Sequence, residues 1–454
     1  MRRVVVLDVV GLTPRMLERA PGLEALAREG FAAPMDPVVP AVTSTVQASL
    51  LTGLPPSGHG VVANGWYFRE LAEVLFWRQS NRLVAGEKVW EAGRARDPSF
   101  TCAKVFWWFN MHSTADFSVT VRPAYPADGR KIPDIYTQPA GLREEVTGRL
   151  GPFPLFQFWG PGAGIVSSRW IAACAKLVFD RHLPTLTLVY LPHLDYDLQR
   201  FGPEDRRVGA ALAAIDGVAA DLARHVRDRA EVVVLSEYGI RPVSGPVHVN
   251  RVLRDAGFLA VHVQLGKEYL DPGASRAFAV SDHQVAHVYV RDPRDVAAVA
   301  ELLRGTPGVG EVLGEDGKEA HRLDHPRSGE LVLFAAPDRW FTYYYWKEDG
   351  LAPDFARTVD IHRKPGYDPV ELHVDPALAF PRLRIARRLA QKALGFRYLM
   401  DVISLDASIV KGSHGLRPTE PLDGPVFLST SKKIRSDRVD AIDVKDLLLE
   451  LVFS

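Results

Sequence analysis

Short apolar runs that alternate with helix-compatible stretches constrain the fold of this chain more than any other feature. Residues 4–10, 103–107, 186–191, 232–235, 287–290 and 331–335 read as strands. Between the third and fourth of these, residues 208–226 place Val208, Ala211, Leu212, Ile215, Val218, Ala219, Leu222 and Val226 on one helical stripe. That alternation predicts an α/β domain with a mostly parallel sheet and helices on both faces. In such sheets ligands bind beyond the C-terminal ends of the strands. The first run, Val4-Val5-Val6-Leu7-Asp8, closes on a carboxylate that a buried parallel strand would deliver to that edge.

A second stretch, Thr43-Ser44-Thr45-Val46-Gln47-Ala48-Ser49-Leu50-Leu51-Thr52-Gly53, opens with hydroxyls just ahead of a helix-compatible run. A hydroxyl there sits where free helix N–H groups favour an anion. A turn rich in proline and glycine follows, and it ends at Asn64. Carboxylate, hydroxyl and amide in that order suit an attack on a phosphate ester. Either Thr43 or Thr45 could be the nucleophile. Ser44, between them, reads as a capping hydroxyl.

Taken together, these residues resemble the type I phosphodiesterase/nucleotide pyrophosphatase branch of the alkaline phosphatase superfamily, which also contains phosphonoacetate hydrolases. The resemblance rests on Asp8, Thr43 ten residues before Gly53, the Pro-Pro-Ser-Gly-His-Gly stretch from Pro55 to Gly60, and Asn64. Lys88-Val89-Trp90-Glu91, Val105-Phe106-Trp107, Arg327-Ser328-Gly329-Glu330 and Gly412-Ser413-His414-Gly415 continue it. It implies an alkaline-phosphatase-like core over 1–346, an insertion or cap over 347–410, and completion of the core over 411–454. It further implies a metal-dependent phosphodiesterase or nucleotide pyrophosphatase with Thr43 as nucleophile, favoured over Thr45 by its spacing to Gly53. Asn64 would hold the phosphoryl group with the N–H groups beside Thr43. Two alternatives stand beside this: a member that binds a phosphorylated metabolite or partner without catalysis, and a phosphonate hydrolase.

The resemblance assigns metal ligation to Asp8, Thr43, Asp195, Glu237 and His414, and here the chain departs from the family. Gln199 stands where a histidine would follow Asp195 by four residues, and Tyr238 stands where a histidine would follow the acid at Glu237. The family's one or two metal ions are zinc. An oxygen-rich set that includes Gln199 and Tyr238 also admits Mn, Mg, Ca or Fe. Asp282 and His283 are further candidate ligands. His193 belongs here too, since an extended segment would put it on the same face as Asp195. The cluster from Arg357 to Asp368 contains Asp360 and His362. His248 reads as a helix-start contact and His59 as structural.

Composition narrows the function classes. Acidic and basic residues balance at 55 each, which argues against a surface for nucleic-acid polymers. Two cysteines, Cys102 and Cys174, are too few for a disulfide framework or a thiolate metal site. No run is apolar enough for membrane insertion. Asp8 interrupts the N-terminal apolar stretch, so a signal peptide is not expected and the location reads as cytoplasmic. The expected partner is a small-molecule phosphate ester. Trp66, Tyr67, Phe68, Trp107, Trp108 and Phe109 could stack a base, and Arg122, Arg130, Lys131 or Lys411 could bind further anionic groups.

Overall fold

The computed structural model describes residues 1–127 and 130–454. Its central sheet contains β1 (Val4–Val9), β2 (Phe31–Asp36), β3 (Cys102–Val105), β4 (Phe117–Val121), β5 (Ile135–Gln138), β6 (Leu186–Leu191), β7 (Glu231–Leu235), β8 (Val426–Ser429) and β9 (Val439–Asp440). The spatial order is β9-β2-β8-β7-β1-β6-β3-β4-β5. β7, β1, β6, β3 and β4 run parallel, whereas β8 is antiparallel to both of its neighbours and β5 to β4.

Alternation along β1 builds both layers. Val5, Leu7 and Val9 enter one apolar cluster with α2 (Ile165–His182) and α4 (Val208–Val226). Val4 and Val6 enter another with α1 (Thr43–Thr52) and the C-terminal helix Val444–Phe453. Asp8 shares parity with Val4 and Val6, so the pleat turns it toward the face that α1 covers. The helical stripe expected over 208–226 is a helix of those bounds. By contrast, Val285–Val290 and Leu331–Ala335 belong to a separate antiparallel sheet of four strands. That sheet brings Asp282 and His283 to the site from the side.

Helix α1 is buried along its whole length, and it ends at Gly53, whose left-handed φ of 69° lets its N–H close on the Ser49 carbonyl. Its N-cap is Val42, which offers no side-chain acceptor. Ser44 is therefore not the cap. Asn64, twenty residues on, supplies the acceptor instead, taking the Ser44 N–H at 2.9 Å. A carboxamide that caps a helix from a distant loop pins that loop to the nucleophile's turn.

Within residues 347–410, Phe355, Tyr367, Val370, Val402 and Ile403 are buried in the apolar cluster of the four-stranded antiparallel sheet, and Leu372 packs with Tyr196. Lys364 is buried there between Asp368 at 2.6 Å and Glu371 at 2.7 Å, and Glu371 also accepts the Trp159 indole N–H at 2.5 Å. Removing one partner of such a buried group costs about 3–5 kcal/mol, and the Trp159 bond ties this segment to the residues before α2. Beyond it, α5 (Pro381–Ala393) has no buried residue.

Candidate active site

Strand ends, α1 and one further helix converge on a cluster of buried oxygens. Asp8 leaves β1, and Glu237 and Tyr238 follow β7 by two and three residues. Asp195 lies in the first turn of α3 (His193–Phe201), with Gln199 one turn later on the same face. Because this segment is helical, His193 and Asp195 point apart. The shared face expected of an extended segment does not exist. His193 packs on Tyr196 instead.

Thr43 lies 3.1 Å from the Tyr238 hydroxyl, which donates to Asp195 at 3.3 Å. Asp195, whose carboxyl can hold the proton near neutral pH, and the Tyr238 phenol share this contact. The Thr43 hydroxyl thus lies between the Tyr238 phenol and the Glu237 carboxylate, and either can take its proton. Gln199 donates its amide to Asp195 at 2.7 Å and to Tyr367 at 3.4 Å. Desolvation raises the Asp195 pKa to about 7 against the lowering effect of the Gln199 hydrogen bond. Desolvation also raises Asp8 and Glu237, and their mutual repulsion raises Glu237 further.

Gln47 is the residue that sequence reasoning missed. Its amide donates to Asp8 at 3.0 Å and to Glu237 at 2.7 Å, and its carbonyl accepts the Trp108 backbone N–H at 2.8 Å. One neutral amide thus bridges the two carboxylates and ties them to the aromatic loop after β3. The signal lay in the spacing: Gln47 is one helical turn beyond Thr43, on the same face of the helix.

Asn64 is oriented on its other side by Asp282, which accepts from its backbone N–H at 2.7 Å and its side-chain amide at 3.1 Å. Asp282 is thereby occupied as a positioning group for Asn64. The Ser44 N–H, expected to meet a phosphoryl oxygen, is spent on Asn64. That leaves Thr43 and Thr45 as the helix-start N–H groups without an intrahelical partner.

Four rings form a column beside Thr43. Tyr238 stacks on His414 at 3.5 Å, His414 on His283 at 3.6 Å, and His283 on Tyr367 at 3.9 Å. His414 Nδ1 bonds the Ala41 carbonyl at 2.7 Å, and its Nε2 has no partner. Burial pushes His414 down to about 3 and holds His283 well below the usual imidazole range, so both rings are neutral.

The donor set does not fit a pair of zinc ions. Two positions expected to carry imidazoles hold an amide and a phenol, and each already makes hydrogen bonds to Asp195. Burial holds the Tyr238 phenol well above its ordinary pKa, so it is a poor ligand. Among the described residues no group of three His, Cys, Asp or Glu side chains is arranged to hold a metal. Asp8 Oδ1 and Glu237 Oε2 are nevertheless buried oxygens without hydrogen-bond partners, and Thr43 adjoins Glu237, donors of the type a hard cation takes.

Thr43, Asp195, Tyr238 and His283 line a cavity of about 1170 Å³ whose walls include Trp77, Trp108, Trp159, Tyr196 and Tyr367. Residues 358–363 and the inner side of α5 complete it, which brings Asp360 and His362 to its wall. Of the six aromatics expected to stack a base, only Trp108 lines this space. Trp66, Trp107 and Phe109 are core, while Tyr67 and Phe68 pack against the core clusters. Thr45 is fully buried and lies off the cavity wall. Arg130 and Lys131 reach the cavity. Arg122 lies against Met111, and Lys411 is exposed with its ammonium on the Ser408 carbonyl. His59 bonds Ser49 at 2.8 Å, His248 sits at a helix start against Thr342, and both cysteines are free and buried.

The family profile described as type I phosphodiesterase / nucleotide pyrophosphatase matches residues 4–368. Among solved structures, an inactive variant of murine ectonucleotide pyrophosphatase/phosphodiesterase 5 in complex with AMP is similar at 13% identity and a TM-score of 0.61. That match covers 100% of this chain and 95% of the other. Phosphonoacetate hydrolase from Sinorhizobium meliloti 1021 in complex with phosphonoacetate is similar at 14% identity and a TM-score of 0.63, covering 99% and 96%. Human ectonucleotide pyrophosphatase/phosphodiesterase 5 is similar at 13% identity and a TM-score of 0.61, covering 99% and 95%. At these identities the structures establish a shared fold.

Proposed function

Because the chain belongs to the type I phosphodiesterase / nucleotide pyrophosphatase family, we propose that it hydrolyses phosphate esters with Thr43 as nucleophile, diesters in preference to monoesters. The hydrogen-bonded chain from Thr43 through Tyr238 to Asp195 carries this reading. As the Thr43 oxygen bonds to phosphorus and the ester oxygen departs, the threonine proton passes to Tyr238, whose own proton moves to Asp195. General-base assistance of this kind is worth about 10²–10⁴ in rate. The proton returns to the leaving alkoxide, and water then cleaves the phosphothreonine.

Asn64, held by Asp282, offers its remaining amide N–H to an equatorial phosphoryl oxygen, and the start of α1 adds backbone donors. A hard divalent cation on Asp8, Glu237 and Thr43 would supply Lewis acidity to the threonine oxygen. The cavity, wide and largely aromatic, suits an ester with one bulky apolar or aromatic group better than it suits phosphonoacetate or inorganic phosphate. Asp8 belongs to both β1 and the site, so cleavage of this segment as a signal would destroy the site.

Release of an aryl alcohol from an aryl phosphodiester and from the matching monoester tests this reading, in chelator and with Mg²⁺, Mn²⁺, Ca²⁺ or Zn²⁺. Faster diester cleavage that is lost in Thr43→Ala and strongly reduced in Tyr238→Phe is expected. No cleavage of diester, monoester or phosphonate under any of these conditions would instead favour the binding reading, which the Gln47 bridge between Asp8 and Glu237 supports.

A further inference from the structure

The segment 376–400 carries Arg382, Arg384, Arg387, Arg388, Lys392 and Arg397 and no acidic residue, in a chain that is otherwise balanced in charge. Most of it is α5, which projects from the cap with no residue buried. Arg384 and Arg388 are neutralised together by Asp401. Arg382 and Arg387 are exposed and make no hydrogen bond, ion pair or ring contact among the described residues, whereas Arg397 lines the cavity. Large apolar side chains stand beside them in water: Phe380 is 74% exposed, Leu383 67% and Leu394 74%, while Phe396 lines the cavity.

Soluble surfaces seldom cluster this many large apolar groups. No helix of the described residues is long and apolar enough to cross a membrane. A basic amphipathic helix with protruding Phe and Leu side chains instead has the composition of an element that lies in the headgroup layer of a bilayer. Unpaired guanidinium groups meet lipid phosphates and carboxylates there, and the apolar side chains enter the acyl boundary.

We propose that 376–400 docks this protein on the surface of an anionic bilayer. Charge complementarity decides the occupant: the exposed face is cationic and apolar together. A neutral bilayer would leave Arg382 and Arg387 unmatched, and an acidic protein would leave the apolar side chains uncovered. The inner side of the same helix, through Ile385, Leu389 and Lys392, lines the cavity above Thr43. Docking would therefore hold the cavity at the membrane surface, whether or not the site is catalytic.

Co-sedimentation with vesicles tests this without reference to activity. The full chain should pellet with vesicles of phosphatidylserine and phosphatidylcholine, bind pure phosphatidylcholine at least tenfold less, and be released by 0.5 M NaCl. Arg382→Glu with Arg387→Glu should weaken the anionic binding at least tenfold. Phe380→Asp with Leu383→Asp should do the same while leaving aryl-ester hydrolysis in solution unchanged. Circular dichroism should show each variant folded, as expected for substitutions at unburied positions. Failure to pellet with any vesicle, equal binding to neutral vesicles, or full binding by both double variants would overturn the proposal. So would retention on an acidic peptide, or self-association through this face, without vesicle binding.

Discussion

Replacing Gln47 with leucine removes a bridging amide while nearly preserving side-chain volume. Two hydrogen bonds to buried carboxylates disappear, at Asp8 and Glu237, and the Trp108 N–H loses its acceptor. A hydrogen bond to a charged group is worth about 1.5–3 kcal/mol, and an unsatisfied buried N–H costs about 1–3 kcal/mol. Proton uptake by the carboxylates offsets part of this, since burial already favours their neutral forms. The expected net loss for Gln47→Leu is about 4 kcal/mol. Urea denaturation at pH 7.5 in chelator, followed by circular dichroism, measures it against the wild type. Millimolar Mg²⁺ or Mn²⁺ should then stabilise the variant more than the wild type, because leucine leaves both carboxylates without a donor. A cation at one hundred times its Kd would return about 2.7 kcal/mol. A loss under about 1 kcal/mol in chelator would refute the bridging role on the scale of these hydrogen bonds.

Thr43→Ala should abolish turnover, whereas Thr45→Ala, off the cavity wall, should retain most of it; equal loss at both would show the nucleophile misassigned. The fold of Thr43→Ala should survive with a stability change of about 1 kcal/mol, the scale of one lost hydrogen bond, read by thermal melting. Asp195 has a folded-state pKa of about 7, above its ordinary 3.8, so its contribution is present below about pH 4 and is lost as pH rises through 7. The stability of wild type minus Asp195→Asn should thus fall by roughly 4 kcal/mol between pH 4 and 8 in chelator; no fall would mean that the carboxylate is already paired with a cation. Restoring imidazoles with Gln199→His and Tyr238→His, together with Glu237→Asp, should raise zinc stoichiometry in metal analysis of the purified protein. Unchanged zinc content would mean that these positions do not face a shared metal.

The residues that could be read from the sequence are those whose position follows from one local rule. Asp8 and Glu237 end or follow apolar strands, and Thr43 opens a helix bounded by Gly53, so strand direction and helix start bring them together. The 208–226 helix was legible because its period is unbroken over five turns. What escaped was set by contacts between distant segments. Gln47 looks like an ordinary helix residue until Asp8 and Glu237 arrive from two strands. Asp282 reads as a ligand until Asn64, 218 residues away, takes both of its oxygens. Asp195 looked extended because the loop after β6 turns into a helix at once, and periodicity over three residues cannot tell the two apart. Tyr367 closes the ring column from the cap, where no strand or helix rule reaches.

Covalent capture tests the central claim most directly. Wild-type protein mixed with an aryl phosphodiester, quenched in acid within the first turnover, and digested should yield a peptide carrying the residual phosphoryl ester. Fragmentation should place that group on Thr43, and Thr43→Ala should yield none. Diester hydrolysis with no protein adduct, an adduct on Thr45, or undiminished hydrolysis by Thr43→Ala would contradict threonine catalysis at this site.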